Sequence, residues 1–381
     1  MIKAPFNFVP MSHDVFFPDW AATISQDIPF KNSFSGTIKV TIKAETPIFV
    51  RNGQNSDAGD NSFSHINTSI GRQYFIPGTT IKGCIRNVLE IMSFGKLEPI
   101  TDSHTEKQFK YSPRQLEKER QAISAEEQNL SKASFDLAEC IFGSVAQESS
   151  LRGRVQFSNF ICDKVVQMPE NNKSFTMVLN SPHPELLPLY VQQDGSKYQD
   201  YDNEEAYPDD ILKGWKRYIL RSGFWTKKPG KKDDVLTTFM PLNKGSIFSG
   251  KIHYHNLKRE ELGALLCALT WYGEEGHYHQ IGLAKPFGFG RVSVVIDQES
   301  IKESKAFITD FVNMMMGWLE KQTGSAGWRK HWMIKELFLL SGTIRRWDDK
   351  NFYYMGGQEC KKAKASKEYL QLFSKIIKDI E

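Results

Sequence analysis

The chain has 381 residues, of which 40% are hydrophobic, 12% aromatic and 25% charged, with 49 Lys and Arg against 45 Asp and Glu for a net charge of +4. This composition excludes disorder over most of the length and leaves room for two or three domains of about 100–200 residues. A bias of +4 permits a nucleic-acid partner without demanding one, because clustering of charge decides binding.

Residues 1–34 carry Pro5, Pro10, Pro18 and Pro29 and are expected to be irregular, wrapped over another surface. From Ser35 the pattern alternates, with Ile38, Val40, Ile42 and Ala44 on one side and Lys39, Thr41 and Lys43 on the other, predicting a half-buried strand. Residues 51–73 are polar and without period, a loop long enough to be functional. Tyr74–Ile76 ends a short strand and Pro77-Gly78 turns the chain. Thr79 or Thr80 then caps a helix with the apolar stripe Ile81, Ile85, Val88, Leu89 and Met92. Residues 103–133 read as an inserted, charged helical segment. Phe135–Gly143 reads as a helix stopped by its glycine, and residues 153–163 alternate as a strand. Residues 165–240 read as an irregular insertion, acidic around Asp200–Asp210, with a basic Trp-containing run at 212–225. A strand follows from Gly245, an amphipathic helix over Lys258–Trp271, a glycine-rich loop entering a strand over 281–297, and a mostly helical stretch over 299–381 with a basic tail. The order strand, helix, strand, strand, helix, strand predicts an α+β protein. Its core over 35–298 is ferredoxin-like (RRM-like) βαββαβ with large insertions, followed by a helical C-terminal extension.

The five cysteines, Cys84, Cys140, Cys162, Cys267 and Cys360, are odd in number and widely spaced. This excludes a Cys-x-x-Cys zinc knuckle and predicts reduced thiols. No signal-peptide hydrophobic region opens the chain, and the most apolar helix candidate, 263–272, is far short of the ~20 residues of a membrane span. A cytoplasmic protein with no membrane partner is expected.

Four constellations carry chemistry. In IPGTTIKGCIR (76–86), helix-start N–H groups near Gly78, the hydroxyls of Thr79 and Thr80, and the (i, i+4) pair Lys82 and Arg86 suit a phosphate. A plain strand-to-helix turn with a solvated basic pair has the same signature. In IGLAKPFGFGRV (281–292), Gly282, Gly288 and Gly290 alternate with Lys285, Phe287, Phe289 and Arg291, so basic groups and base-stacking aromatics are one reading and a structural glycine loop the other. Pro286 and Gly290 break the RNA-recognition octapeptide pattern, and the glycine spacing is not that of a dinucleotide fingerprint. Lys213, Trp215, Lys216, Arg217, Tyr218 and Arg221 interleave charge with aromatics, which suits single-stranded RNA or a solvated face. Asp57 and Asp60 in the 51–73 loop can hold a metal ion for phosphodiester cleavage or can form ordinary turns. Of the pairs His253/His255 and His277/His279, neither has a third ligand at suitable spacing, so no firm metal site is expected. His277 and His279 precede the glycine loop and are candidates for RNA contact. GSIFSGKI (245–252) has Walker spacing but lacks the terminal Ser or Thr and lies in a strand pattern.

Taken together, IPGTTIKGCIRNVLE (76–90), LAECIFGS…LRGRVQFSNF (137–160) and IGLAKPFGFGRV resemble the RAMP superfamily of CRISPR-associated proteins. LNSPHPELLPLYVQQ (179–193), LKGWKRY (212–218) and FSGKIHYHNLKREELGALLCAL (248–269) resemble a larger subfamily within it. The resemblance spans about 35–295 and its motif order makes it specific. It implies a guide-RNA-binding subunit of a type III-like effector, with a ferredoxin-like core and with guide RNA, target RNA and other effector subunits as partners. It also implies guide-backbone contacts from the Pro-Gly turn, Thr79, Thr80, Lys82 and Arg86. The family's metal-dependent target cleavage would fall to Asp60, or to Asp57, with Mg2+ and no tightly bound cofactor; the loop departs from the family pattern in having no Pro after its Asp. Two alternatives stand beside it. One is a metal-independent repeat-processing endoribonuclease, with His13, His65 or His277 activating the 2′-OH. The other is a non-catalytic structural subunit.

Overall fold

The computed structural model describes residues 4–12, 14–52, 61–96, 100–101, 108–109, 135–145, 150–170, 173–179, 187–193, 212–226, 236–299, 301–324, 327–343, 352–353 and 357–380. In chain order the elements used below are β1 (Phe6–Val9), β2 (Phe34–Ala44), β3 (His65–Thr68), β4 (Gly71–Ile76), α1 (Gly78–Met92), α2 (Leu137–Phe142), β5 (Val155–Phe157), β6 (Phe160–Lys164), β7 (Trp215–Tyr218), β8 (Ile247–Leu257), α3 (Arg259–Thr270), β9 (His279–Gln280), β10 (Arg291–Ile296), α4 (Ser304–Thr323) and α5 (Trp332–Ser341).

The main sheet runs β9-β10-β2-β8-β6-β4-β3, with β5 also paired to β8, and every pairing is antiparallel. Its centre, β10-β2-β8-β5/β6, is the order produced when two strand–helix–strand units each skip one strand. The expected ferredoxin-like core is therefore present. Alternation in β2 buries Ile38, Val40, Ile42 and Ala44, all at or below 2% exposure, and α1 turns its apolar stripe onto the same side. Helices α1 and α3 pack side by side there, and α4 lies along α3. Gly263 permits that approach, since a Cβ on it would sit 1.9 Å from the Phe307 carbonyl. The buried indole of Trp328 donates to the Met92 carbonyl at 2.9 Å, tying the C-terminal helices to the end of α1.

Several local expectations change. Residues 6–9, in the stretch expected to be irregular, form β1 and pair with β7, because Phe6, Phe8 and Val9 are buried. Within 165–240, Phe175–Val178 pairs with Leu236–Phe239. Within the 103–133 segment expected to be helical, Gln108–Phe109 is instead a strand paired with Ile100–Thr101; residues 110–133 lie outside the described residues. Helix α1 is not capped by Thr79 or Thr80: Pro77 is its N-cap, no side chain caps it, and both threonines are inside the first turn. Helix α2 has the cap that α1 lacks, with Asp136 accepting from the Glu139 N–H and Glu139 from the Asp136 N–H. Among the described residues no helix is long and apolar enough to cross a membrane.

Candidate nucleic-acid interface

Helix α1 begins where β4 ends, and its start is set by steric contact. Gly78 abuts the break between β5 and β6, where a Cβ would stand 2.2 Å from the Phe157 carbonyl and 2.6 Å from that of Ser158. Its N–H donates to Asn159 Oδ1 at 3.1 Å, so Gly78 is a packing residue and this N–H is not open to a phosphate.

Two clefts flank α1. One, of about 410 Å³, is lined by Thr79, Thr80, Gly83, Cys84 and Asn87 of α1, by Lys216, Arg217 and Tyr218 of β7, by Leu220 and Leu340, and by Tyr278, Gln280, Ile281, Gly282 and Lys285 around β9 and the glycine loop. Four segments far apart in sequence meet here. Among the described residues three cations line it and no carboxylate does. Arg217 donates to Asn87 Oδ1 at 3.0 Å, with its guanidinium 5.7 Å from the Trp271 ring centre. Lys216 Nζ donates to the Tyr190 hydroxyl at 2.7 Å and sits among the rings of Phe6, Tyr190 and Tyr218 at 4.0, 4.9 and 5.5 Å. Burial pulls its pKa down to about 8. Lys285 is lowered first by burial, with Arg217 adding to the shift; among the described residues no hydrogen bond holds its ammonium. Such a site carries positive charge that water solvates poorly, and an entering anion would relieve it.

The other cleft, of about 740 Å³, receives Lys82, Arg86 and Trp215. Its charge is compensated by Glu90, Asp136 and Glu139 in the same wall. Arg86 donates to Glu90 at 2.8 Å and to the Gly143 carbonyl at 3.0 Å. Lys96 pairs with Glu139 at 2.7 Å. Burial raises the Glu90 pKa to about 7 and that of Asp136 to about 6. Thr79 and Thr80 thus face a different cleft from Lys82 and Arg86, because residues on one helix turn point to different sides.

Other expected contacts are turned inward. Trp215 is 6% exposed and Phe289 fully buried. Phe289 packs on Phe175, Phe224 and Phe239 at 5.4, 5.0 and 5.5 Å, so neither it nor Trp215 is open to stack a base. The glycine loop is structural at Gly288 and Gly290. Gly290, at φ +76°, has room for a Cβ only 1.9 Å from the Ile281 carbonyl, and Gly288, at φ +85°, only 2.2 Å from that of Gly223. Arg291 is buried, donating to the carbonyls of Arg221 at 2.6 Å and Ser222 at 3.2 Å. His279 is buried with Nε2 donating to the Leu269 carbonyl at 3.1 Å, and burial lowers its pKa to about 4. His277 is half-buried between Ser341 at 2.9 Å and Glu274 at 3.4 Å. Lys213 reaches away from the cleft to the Leu370 carbonyl at 2.7 Å. His65 is buried against the Phe63 carbonyl at 2.9 Å.

Asp57, Asp60 and His13 lie outside the described residues. Among the described residues no three His, Cys, Asp or Glu side chains come close enough to hold a metal ion. Asn87, Tyr278 and Gln280 join the basic cleft, and Tyr190 holds the Lys216 ammonium, none of them singled out by a sequence signal, since only long-range packing brings them there.

A sequence profile described as the RAMP superfamily matches residues 41–293. Among solved structures, a chain from a "Type IV-B CRISPR Complex" is similar at 15% identity and a TM-score of 0.34, covering 70% of this chain and 92% of that one. No curated protein matches the sequence.

Proposed function

The chain belongs to the RAMP superfamily, and from that premise we propose that it is a CRISPR guide-RNA-binding subunit of a type III-like RNA-targeting effector, working with target RNA and other subunits. The observation that carries the RNA-binding reading is the cleft beside α1, where Lys216, Arg217 and Lys285 meet the hydroxyls of Thr79 and Thr80 and, among the described residues, no carboxylate lines the wall. A phosphate in that cleft would gain charge-assisted hydrogen bonds in a poorly solvated site. The exposed, unsubstituted backbone at Gly83 leaves room beside α1 for the chain that carries it.

Single-stranded RNA titrated over a range of salt tests this reading. Each phosphate contact removed by Lys216→Ala or Lys285→Ala should lower the slope of log K against log salt by about 0.7, and unchanged slopes in both variants would rule the cleft out. On the same reading, a metal-dependent cut by the assembled complex depends on Asp60 in the loop after β2, with Asp57 second. Asp60→Ala should abolish target cleavage in magnesium while leaving guide binding intact. Cleavage of repeat RNA by the pure chain in EDTA would favour a processing enzyme instead.

A further inference from the structure

The sheet has a second side, opposite α1 and α3. Along β2, Lys39 and Lys43 are exposed there, alternating with the half-buried Thr37 and Thr41. Strand β8 sets Ser249, Lys251 and His253 directly opposite Thr41, Lys39 and Thr37, and β10 adds Ser293 and Val295. Lys251 therefore stands across from Lys39, and like charges directly opposite one another weaken a strand pair. Asp297 lies 3.6 Å from Lys39 and Glu45 lies 3.4 Å from Lys43. Among the described residues no carboxylate comes within 4 Å of Lys251. The Thr37 hydroxyl is 2.8 Å from Nδ1 of His253, which orients the ring.

We propose that this face binds the sugar–phosphate backbone of a nucleic-acid strand, as a contact separate from the cleft. The charge and hydroxyl pattern suits phosphates, and among the described residues the exposed rings on the face are the imidazoles of His253 and His255, with no exposed Phe, Tyr or Trp there. A stable protein interface would need an apolar or aromatic centre. Among the described residues the exposed large apolar side chains on this face are Val295 and, at its far edge on β3, Ile66, with Ile161 and Ile247 half-buried. The ladder from Thr37 to Lys43 runs about 20 Å at ~3.4 Å per residue.

The test uses the full chain and a 40-nucleotide single-stranded RNA of mixed sequence. Combining Lys39→Ala with Lys251→Ala should lower the salt slope by about 1.4, two contacts at about 0.7 each. Lys251→Glu places opposite charges across the strand pair, so it should raise the melting temperature while weakening RNA binding, a combination that misfolding cannot produce. An unchanged slope in the double variant would overturn the proposal, as would intact RNA binding with lost capture of an acidic protein subunit. A slope lowered by these variants but by neither Lys216→Ala nor Lys285→Ala would support this face while removing the cleft.

Discussion

At the residue scale, the cations of the cleft are defined by burial more than by identity. Lys216 is held among three rings with its pKa brought down to about 8, and Lys213 is brought down to about 7 by burial under the C-terminal segment. A lysine is charged below its pKa, so attraction of phosphate to Lys216 is fully present below about pH 8 and fades above it. RNA affinity is therefore expected to fall several-fold between pH 7 and 9, measured at constant salt, and Lys216→Ala should flatten the profile. Folding stability moves the other way. Between each lowered value and the ordinary 10.5, the unfolded chain binds more protons than the folded one, so these two lysines make stability rise with pH from about 7 to 10.5. Denaturant melts across that window would show it, and a flat or falling contribution in wild type relative to Lys213→Met would contradict it. Lys216 and Arg217 were legible as candidates from the basic, aromatic run in which they lie. Trp215 was not readable as buried, because alternation along a four-residue strand does not say which side meets the core.

At the element scale, α1 shows two glycines with opposite roles. Gly78 has carbonyls of β5 and the following turn where a Cβ would go, so Gly78→Ala should push the helix start off the sheet, lower the melting temperature and weaken RNA binding together. Gly83 is exposed in the same helix with nothing within 4 Å of its would-be Cβ. Gly83→Ala should therefore stabilise the protein by about 0.5–1 kcal/mol through helix propensity alone, read as a higher midpoint in urea. A drop would show that Gly83 meets a constraint within the fold. The helix itself was legible, since its stripe of Ile81, Ile85, Val88, Leu89 and Met92 has the helical period. Its cap was not, because Pro77 starts the helix by geometry rather than by a side-chain hydrogen bond, and the nearby threonines mimic the usual signal. Strand β1 was hidden for a related reason: four residues between prolines, three of them apolar, become a strand only when β7 arrives to pair with them.

At the scale of the whole molecule, one buried ion pair joins the parts. Arg154, ahead of β5, pairs with Glu261 of α3, with both side chains wholly buried. Arg154 also donates to the Cys140 carbonyl of α2 at 2.9 Å and to the carbonyl of Asn256. Glu261 in turn accepts from the Trp20 indole at 3.1 Å and the Lys258 N–H at 2.8 Å. Removing one partner leaves the other charge buried and unpaired, so Arg154→Met should cost about 3–5 kcal/mol, measured by urea unfolding; a loss below about 1 kcal/mol would mean that water reaches the site. The sequence by itself determined the order of the core strands and helices from β2 to β10, the apolar faces of β2 and α1, and the motif order that resembles the RAMP superfamily, because period and turn chemistry are local properties of the chain. Only the tertiary structure decided which basic residues share a cleft, which are neutralised by carboxylates, and which aromatics are consumed by the core. Those outcomes depend on side chains up to 364 positions apart, such as Asn7 and the carbonyl of Gln371, and no local pattern records a distance that arises only when the sheet closes and the helices pack.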